Sequence, residues 1–113
     1  MERIPLTAAA YYPILDARQP PTLVIFTAPA CGSCRRLHRI IDDMVAPISD
    51  MVVMEVNAEE APGLVADLEI FHLPALFLYM HGDHHSPVHS VLRVDALAAA
   101  VQAAAAGPRQ EPP

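Results

Sequence analysis

Residues 27–36 read Thr-Ala-Pro-Ala-Cys-Gly-Ser-Cys-Arg-Arg and contain the only two cysteines of the 113-residue chain, Cys31 and Cys34. They follow an apolar run, residues 22–27, that is typical of a buried strand, and they precede a regular helical pattern. Two thiols spaced Cys-x-x-Cys at such a junction can close a small disulfide and reopen it. The N-terminus of the helix favours a thiolate at the first sulfur. The stretch therefore indicates thiol–disulfide chemistry.

Strands and helices alternate on both sides of this stretch. The pattern predicts strands at 1–6, 22–27, 51–56, 75–80 and 88–93, and helices at 8–17, 34–46, 59–69 and 96–106. Pro13 either kinks the first helix or marks a later start. The helix after the cysteines is the most regular, because its apolar side chains recur at helical spacing: Leu37, Ile40, Ile41, Met44 and Val45.

This order of elements predicts an α/β fold. Strands 22–27 and 51–56 are joined through a helix and should be parallel, whereas the last two strands should form an antiparallel hairpin. We therefore expect a central mixed sheet of four to five strands flanked by helices. Residues 1–107 are predicted to form one domain, and residues 108–113 a disordered tail.

Composition excludes several classes of function. The net charge of −6 argues against a nucleic-acid partner. No run approaches the roughly 20 apolar residues that a membrane span requires, and the first residues show no signal-peptide pattern. A cytoplasmic protein without a membrane span is the expectation.

Three motifs resemble those of the thioredoxin family. Cys31-Gly32-Ser33-Cys34 looks like its Cys-Gly-Pro-Cys, Leu73-Pro74-Ala75 like its Ile-Pro-Thr, and His81-Gly82-Asp83 like its hairpin turn Asn-Gly-Glu. The first motif alone is moderately specific, but its combination with the other two is strong. The resemblance covers residues 7–106 and implies a thioredoxin-like fold.

The resemblance also implies roles for individual residues. Cys31 would be the attacking thiol and Cys34 the resolving thiol, so that the redox-active Cys31–Cys34 disulfide serves without a separate cofactor. A cis Pro74 would face the dithiol and expose the backbone of Leu73 to the substrate, beside Gly32 and Ser33. The implied substrate is a disulfide or dithiol of a protein partner.

The chain departs from the family at four positions. Ala30 replaces the usual tryptophan before the first cysteine, Ile25 the buried aspartate, and Arg39 the proline that kinks the long helix. The family's partner lysine on the next strand is predicted to fall at Val53. Because the proton-handling pair and the aromatic platform are missing, a dedicated partner is predicted rather than the broad range of a general thioredoxin.

Several side chains are candidate modulators of the dithiol. Arg35 and Arg36 lie close enough to Cys31 to favour its thiolate. His72 either relays a proton near Pro74 or is an ordinary exposed loop histidine. His38, one turn past Cys34, is predicted to lie on the surface.

Glu55 is a candidate for the missing buried acid, because it lies two residues from Val53 on the same face of a strand. A position where that strand emerges into water is the favoured interpretation.

Alternative functions remain open for the cysteines. A redox-inactive binding module would keep the pair for structure, and a metal or iron–sulfur cluster would need further ligands from a second copy, since zinc takes about four. A histidine-rich hairpin is a second candidate metal site, although its residues lack regular ligand spacing and a solvated turn is favoured. Its members are His81, Asp83, His84, His85 and His89. No metal is predicted for the protein.

Overall fold

A five-stranded sheet forms the centre of the computed structural model, which describes residues 1–113. Its strands are β1 (Arg3–Pro5), β2 (Thr22–Thr27), β3 (Val52–Asn57), β4 (Ala75–Met80) and β5 (Asp83–Val88). They lie in the order β1-β3-β2-β4-β5, with β1, β3 and β2 parallel, and with β4 antiparallel to both β2 and β5. The predicted α/β fold with a mixed sheet is confirmed, and the sheet has five strands.

Four helices cover the two faces of this sheet. They are α1 (Tyr11–Ala17), α2 (Gly32–Asp43), α3 (Pro62–Asp67) and α4 (Val94–Ala106). Alternate residues of β2 point to opposite faces, because side chains alternate along a strand. Val24 and Phe26 pack in a cluster with residues of α1 and α3, and Leu23 and Ile25 in a cluster with residues of α2 and α4. Every residue of β2 is buried, as a central strand requires.

Two helices are shorter than predicted. Helix α1 begins at Tyr11, so that Pro13 lies in its first turn, where the missing N–H costs nothing. In the turn before α1, Ala10 N–H donates a hydrogen bond to Thr7 Oγ1. Helix α2 ends at Asp43, and Val45 is therefore not part of its apolar stripe but 84% exposed.

Two later elements, the predicted helix at 59–69 and the predicted strand at 88–93, also differ in their bounds. The predicted helix at 59–69 is divided into a 3-10 turn at 58–60 and α3. At the last hairpin, β5 begins at Asp83 rather than at residue 88, because His81 and Gly82 alone make the turn. Both have positive φ, 56° and 80°, which suits a two-residue hairpin turn. The predicted strand at 88–93 is therefore wrong, because only Val88 of this range lies in β5.

The tail, residues 108–113, runs beside β5. Arg109 Nε donates a hydrogen bond to the carbonyl oxygen of His84 at 3.0 Å, and Gln110 N–H to that of His85 at 2.6 Å. The disorder expected for this segment stays a prediction.

One edge of the sheet collects the features that matter for function. The carboxyl ends of parallel β2 and β3 meet there, and antiparallel β4 begins there, since Phe26 pairs with Ala75. Helix α2 starts at this edge, and four residues separate it from the end of β2. The topology therefore brings the cysteine motif and the Leu73–Pro74 segment to the same edge.

Candidate active site

Cys31 occupies the N-cap of α2 and has extended backbone angles. Its Sγ accepts a hydrogen bond from Cys34 N–H at 3.2 Å, and its carbonyl oxygen accepts one from Arg35 N–H. A cap residue satisfies backbone donors that a helix start leaves free. For a thiol, the same donor and the partial positive charge of the helix end favour the thiolate form.

Cys34 lies in the first turn of α2 and forms a disulfide with Cys31, with the two Cα atoms 5.2 Å apart. Cys34 is 1% exposed, whereas Cys31 is partly exposed. Cys31 is thus the more accessible of the two sulfurs. The two sulfurs therefore differ as an attacking and a resolving thiol must: one faces incoming molecules and the other lies behind it.

The neighbouring residues of α2 are accessible. Gly32, Ser33, Arg35 and Arg36 are all exposed. Arg35 extends back over Gly32, where its Nη2 would lie 3.7 Å from an added Cβ. Its guanidinium charge thus lies close to the motif, as the sequence predicts.

The segment before β4 lies at the same edge of the sheet. The Leu73–Pro74 peptide bond is cis, and both residues are partly buried. His72 and Phe71 precede them and are exposed, Phe71 to 84%. The roles of Leu73, Pro74, Gly32 and Ser33 in substrate binding stay predictions.

A polar cluster lies beneath this edge, centred on Glu55 of β3. Thr27 Oγ1 donates to Glu55 Oε2 at 2.6 Å, Arg3 Nη1 donates to Oε1 at 3.0 Å, and His38 Nε2 is hydrogen-bonded to Oε2. The Glu55 side chain is 19% exposed. Glu55 is thus partly exposed at the cleft, and three partners hold its carboxylate instead of leaving it free in water. We call Arg3, Thr27, His38 and Glu55 the Glu55 cluster.

The charge state of Glu55 follows from these contacts. Burial alone raises the pKa of a carboxyl group, but the hydrogen bonds from Thr27, His38 and Arg3 together outweigh it and hold the pKa of Glu55 below its usual value. Glu55 is thus a carboxylate at neutral pH.

The strand register corrects the predicted position of the counter-charge. Ile25 pairs with Glu55, whereas Val53 pairs with Leu23 and lies in the apolar core. The residue across from Ile25 is therefore an acid and not an aliphatic side chain. Its counter-charge is supplied by Arg3 from β1, a residue that no motif in the sequence singles out.

His38 also differs from its prediction as a surface residue. Its side chain is 28% exposed and points from α2 towards β3, where it meets Glu55. A cleft of about 540 Å³ opens beside this pair and beside the loop that carries the cysteines. Thr27, Ala28, Pro29, His38, Glu55 and Glu60 contribute to its wall.

Three residues of the histidine-rich hairpin, His81, Asp83 and His89, are exposed, as expected for a solvated turn, whereas His84 and His85 make structural contacts. His84 is 6% exposed and packs against the rings of Phe77 and Tyr79. His85 Nε2 is hydrogen-bonded to the carbonyl oxygens of Ala104 and Gly107 at the end of α4. Because side chains alternate along a strand, these two neighbouring rings of β5 lie on opposite faces of the sheet. No group of three or more His, Cys, Asp or Glu side chains is arranged to hold a metal ion.

No helix combines the length and the apolar character that a membrane crossing requires.

Comparison with known proteins gives a consistent family match. A family model described as Thioredoxin matches residues 2–103. Thioredoxin 1 of Synechococcus elongatus is 36% identical over 63 residues, which are 55% of this chain and 59% of that protein. Thioredoxin of Griffithsia pacifica is 31% identical over 70 residues, 61% of this chain and 63% of that protein.

Two further similarities are to longer proteins. Thioredoxin domain-containing protein 2 of Rattus norvegicus is 36% identical over 64 residues, 57% of this chain but 12% of that protein. The aligned segment thus spans less than two thirds of each of these relatives. Among solved structures, the human ERp44 zinc-bound form matches with a TM-score of 0.75 over 90% of this chain and 31% of its own. At 22% identity, that likeness supports the fold alone.

Proposed function

The chain belongs to the thioredoxin family, and from this premise we propose that it is a thiol–disulfide oxidoreductase that exchanges its Cys31–Cys34 dithiol with a disulfide of a protein partner. One observation carries the proposal: the two cysteines form a disulfide at the N-terminus of α2, with Cys31 partly exposed and Cys34 buried. A purely structural disulfide gains nothing from an accessible sulfur at a helix N-terminus, whereas an attacking thiolate needs both.

The reaction takes place in two exchanges. The Cys31 thiolate attacks one sulfur of the partner disulfide, the Cys31–partner bond forms, and the other partner sulfur leaves as a thiolate that takes up a proton. Cys34 then loses its proton and attacks Cys31 Sγ. The Cys31–Cys34 bond forms, the bond to the partner breaks, and the second partner sulfur leaves with its electron pair. The protein dithiol is oxidised and the partner disulfide is reduced, and the reverse sequence oxidises a partner dithiol.

The surface around the dithiol supports a dedicated partner. Ala30 presents no aromatic side chain beside Cys31, but Phe71 is 84% exposed in the segment that leads to Leu73 and Pro74. We place the partner chain along this segment, where the backbone of Leu73 is free for strand-like pairing and Phe71 offers apolar contact.

The first prediction tests this chemistry with cysteine variants. The wild-type protein, with dithiothreitol as electron donor, should reduce a protein disulfide, and Cys31→Ser should abolish the activity because the attacking sulfur is gone. Cys34→Ser should instead accumulate a mixed disulfide on Cys31, because the resolving step is missing. The products are identified by mass spectrometry after alkylation. Recovery of one protein rather than many from cell extract on Cys34→Ser would support a dedicated partner.

Other results would overturn the proposal. A wild-type disulfide that glutathione buffers cannot reduce in the folded protein would indicate a redox-inactive binding module. Zinc or iron retained by the reduced wild type, and lost in Cys31→Ser, would indicate a metal site shared between copies.

A further inference from the structure

The buried resolving thiol poses a chemical problem that the proposed function leaves open. Cys34 lies in the first turn of α2 and is 1% exposed. Because an apolar environment opposes ionisation of a thiol, Cys34 must pass its proton to a base as it attacks. Ile25, on the adjoining strand, offers none.

His38 lies one helical turn after Cys34 on α2. Residues four apart share one face of a helix, and helical side chains lean towards the N-terminus, so that each covers the preceding turn. By this geometry His38 and Cys34 share one face of α2, with the His38 side chain directed towards the turn that contains Cys34. It also borders the cleft that opens beside the cysteine loop, which gives a proton a way out to water.

The partner of His38 fixes its protonation. Glu55 is a carboxylate and only accepts hydrogen bonds, so the proton in their hydrogen bond belongs to His38 Nε2. In neutral His38 the other ring nitrogen, Nδ1, then carries a free lone pair. A carboxylate that holds one imidazole nitrogen also stabilises the positive charge when the other accepts a proton.

We propose that His38 is the proton acceptor for Cys34 in the resolving step, and that Glu55 is the residue that positions His38 for it. The inference rests on the proposed function. As Cys34 attacks, its S–H bond breaks and the proton passes to His38 Nδ1, directly or through one water in the cleft. The sulfur electron pair forms the bond to Cys31, and the bond from Cys31 to the partner breaks. The imidazolium then returns its proton to water in the cleft.

Charged groups on several elements surround His38 and Glu55. Arg3 of β1 binds Glu55 at 3.0 Å and also contacts Asp42 of α2 at 3.4 Å. Glu60, from the 3-10 turn, lines the same cleft, and Arg35, Arg36 and Arg39 are exposed on α2. The hydrogen bond from Arg3 helps to keep Glu55 ionised, so that Glu55 remains an acceptor for His38 Nε2.

The second prediction separates the two exchanges in one experiment. Reduced protein is mixed in a stopped-flow instrument with 5,5′-dithiobis(2-nitrobenzoate), an aromatic disulfide. Each exchange releases one coloured thiolate. The first phase, attack by Cys31, depends on reagent concentration, whereas the second phase, resolution by Cys34, does not. His38→Gln should slow the second phase by roughly a hundredfold, since glutamine accepts no proton, and should leave the first phase within about twofold.

The pH profile distinguishes proton transfer from a structural effect. Between about pH 5 and about pH 9 the second-phase rate of wild type should level off towards high pH, because an internal base accepts the Cys34 proton. In His38→Gln the rate should climb throughout, because hydroxide must accept the proton instead. Glu55→Gln removes the carboxylate that holds His38 Nε2, so it should slow the second phase and leave the first phase within about twofold. His81→Asn, at the opposite end of the sheet, is the matched control and should match wild type.

Three outcomes would overturn the inference. One is a second phase in His38→Gln that keeps the wild-type rate and profile. Another is an equal loss of both phases, which would indicate disruption of the site. The third is that His72→Gln slows the second phase whereas His38→Gln leaves its rate unchanged. That result would indicate that the proton passes through the loop before Pro74. Absence of a second release from wild type would instead contradict the proposed function itself.

Discussion

At the scale of single residues, Glu55 and Ile25 decide how charge is distributed beneath the dithiol. Ile25 is fully buried in the apolar cluster with Leu37 and Leu78, and its neighbour across the strands is the carboxylate of Glu55. Arg3, Thr27 and His38 already supply the partners of Glu55. A second carboxyl group at position 25 would therefore find apolar neighbours and an acid.

The third prediction is that Ile25→Asp strongly destabilises the fold. The aspartate loses the packing of a buried aliphatic side chain and faces Glu55 without a counter-charge, so the free energy of unfolding should fall by about 3 kcal/mol or more. Ile25→Val, the control, should cost about 1 kcal/mol. Urea denaturation measures both. An Ile25→Asp loss equal to that of Ile25→Val would mean that the site contains a partner for the acid.

At the scale of elements, the β4–β5 hairpin depends on its two-residue turn. Gly82 has φ of 80°, and a Cβ at this position would lie 2.6 Å from the carbonyl oxygen of Asp16 at the end of α1. The neighbouring His81 N–H donates to the carbonyl oxygen of Gln19. The turn is thus packed against the segment after α1, and its backbone has no room for a side chain at position 82.

The fourth prediction compares two glycine substitutions. Gly82→Ala should lower the free energy of unfolding by about 1–3 kcal/mol, because the alanine is strained at positive φ and its Cβ collides with backbone. Gly63→Ala, in the first turn of α3, meets nothing within 4 Å and should raise stability by about 0.5 kcal/mol. Denaturant midpoints measure both. If the two substitutions change stability equally, or if Gly82→Ala is neutral, the packing of the turn against α1 is contradicted.

At the scale of the whole molecule, His84 joins the last strand to the tail and to the aromatic core. Its ring contacts Phe77 and Tyr79, and its Nδ1 is hydrogen-bonded to the carbonyl oxygen of Gln110 at 3.1 Å. Nε2 is buried without a hydrogen-bond partner. Burial, with a smaller contribution from the positive charge of Arg109, lowers the pKa of His84 below the usual 6.5.

The fifth prediction is an acid-side loss of stability that depends on His84. Because the folded pKa lies below the unfolded value of 6.5, the unfolded chain binds the proton more readily. Stability should be constant above that pH and should fall as the pH drops towards the folded pKa. Urea denaturation at about pH 7.5 and about pH 5 should therefore show a loss in wild type that His84→Gln lacks.

At about pH 5 the effect of His84 on stability can be distinguished from that of Glu55. The pKa of Glu55 is lowered from 4.5, so its contribution to stability is complete above that pH and is lost only below it. An equal loss in wild type and in His84→Gln at about pH 5 would show that another group is responsible.

The sequence by itself determined the features that depend on residues close together along the chain. The apolar runs 22–27 and 75–80 predict β2 and β4 with their observed bounds, and the Cys-x-x-Cys spacing between strand and helix predicts the disulfide. Local periodicity and helix-end electrostatics suffice for these, because both act within a few residues.

Only the tertiary structure decided which distant residues meet. Pairing of Ile25 with Glu55 depends on the register between two strands that are separated by α2, and a shift of two residues along β3 places Val53 there instead, without changing which face is buried. Arg3, Thr27 and His38 converge on Glu55 from three further elements, and no spacing in the sequence encodes that convergence. Long-range pairing is set by the packing of the whole sheet and its helices. For this physical reason, local sequence patterns do not predict the Glu55 cluster.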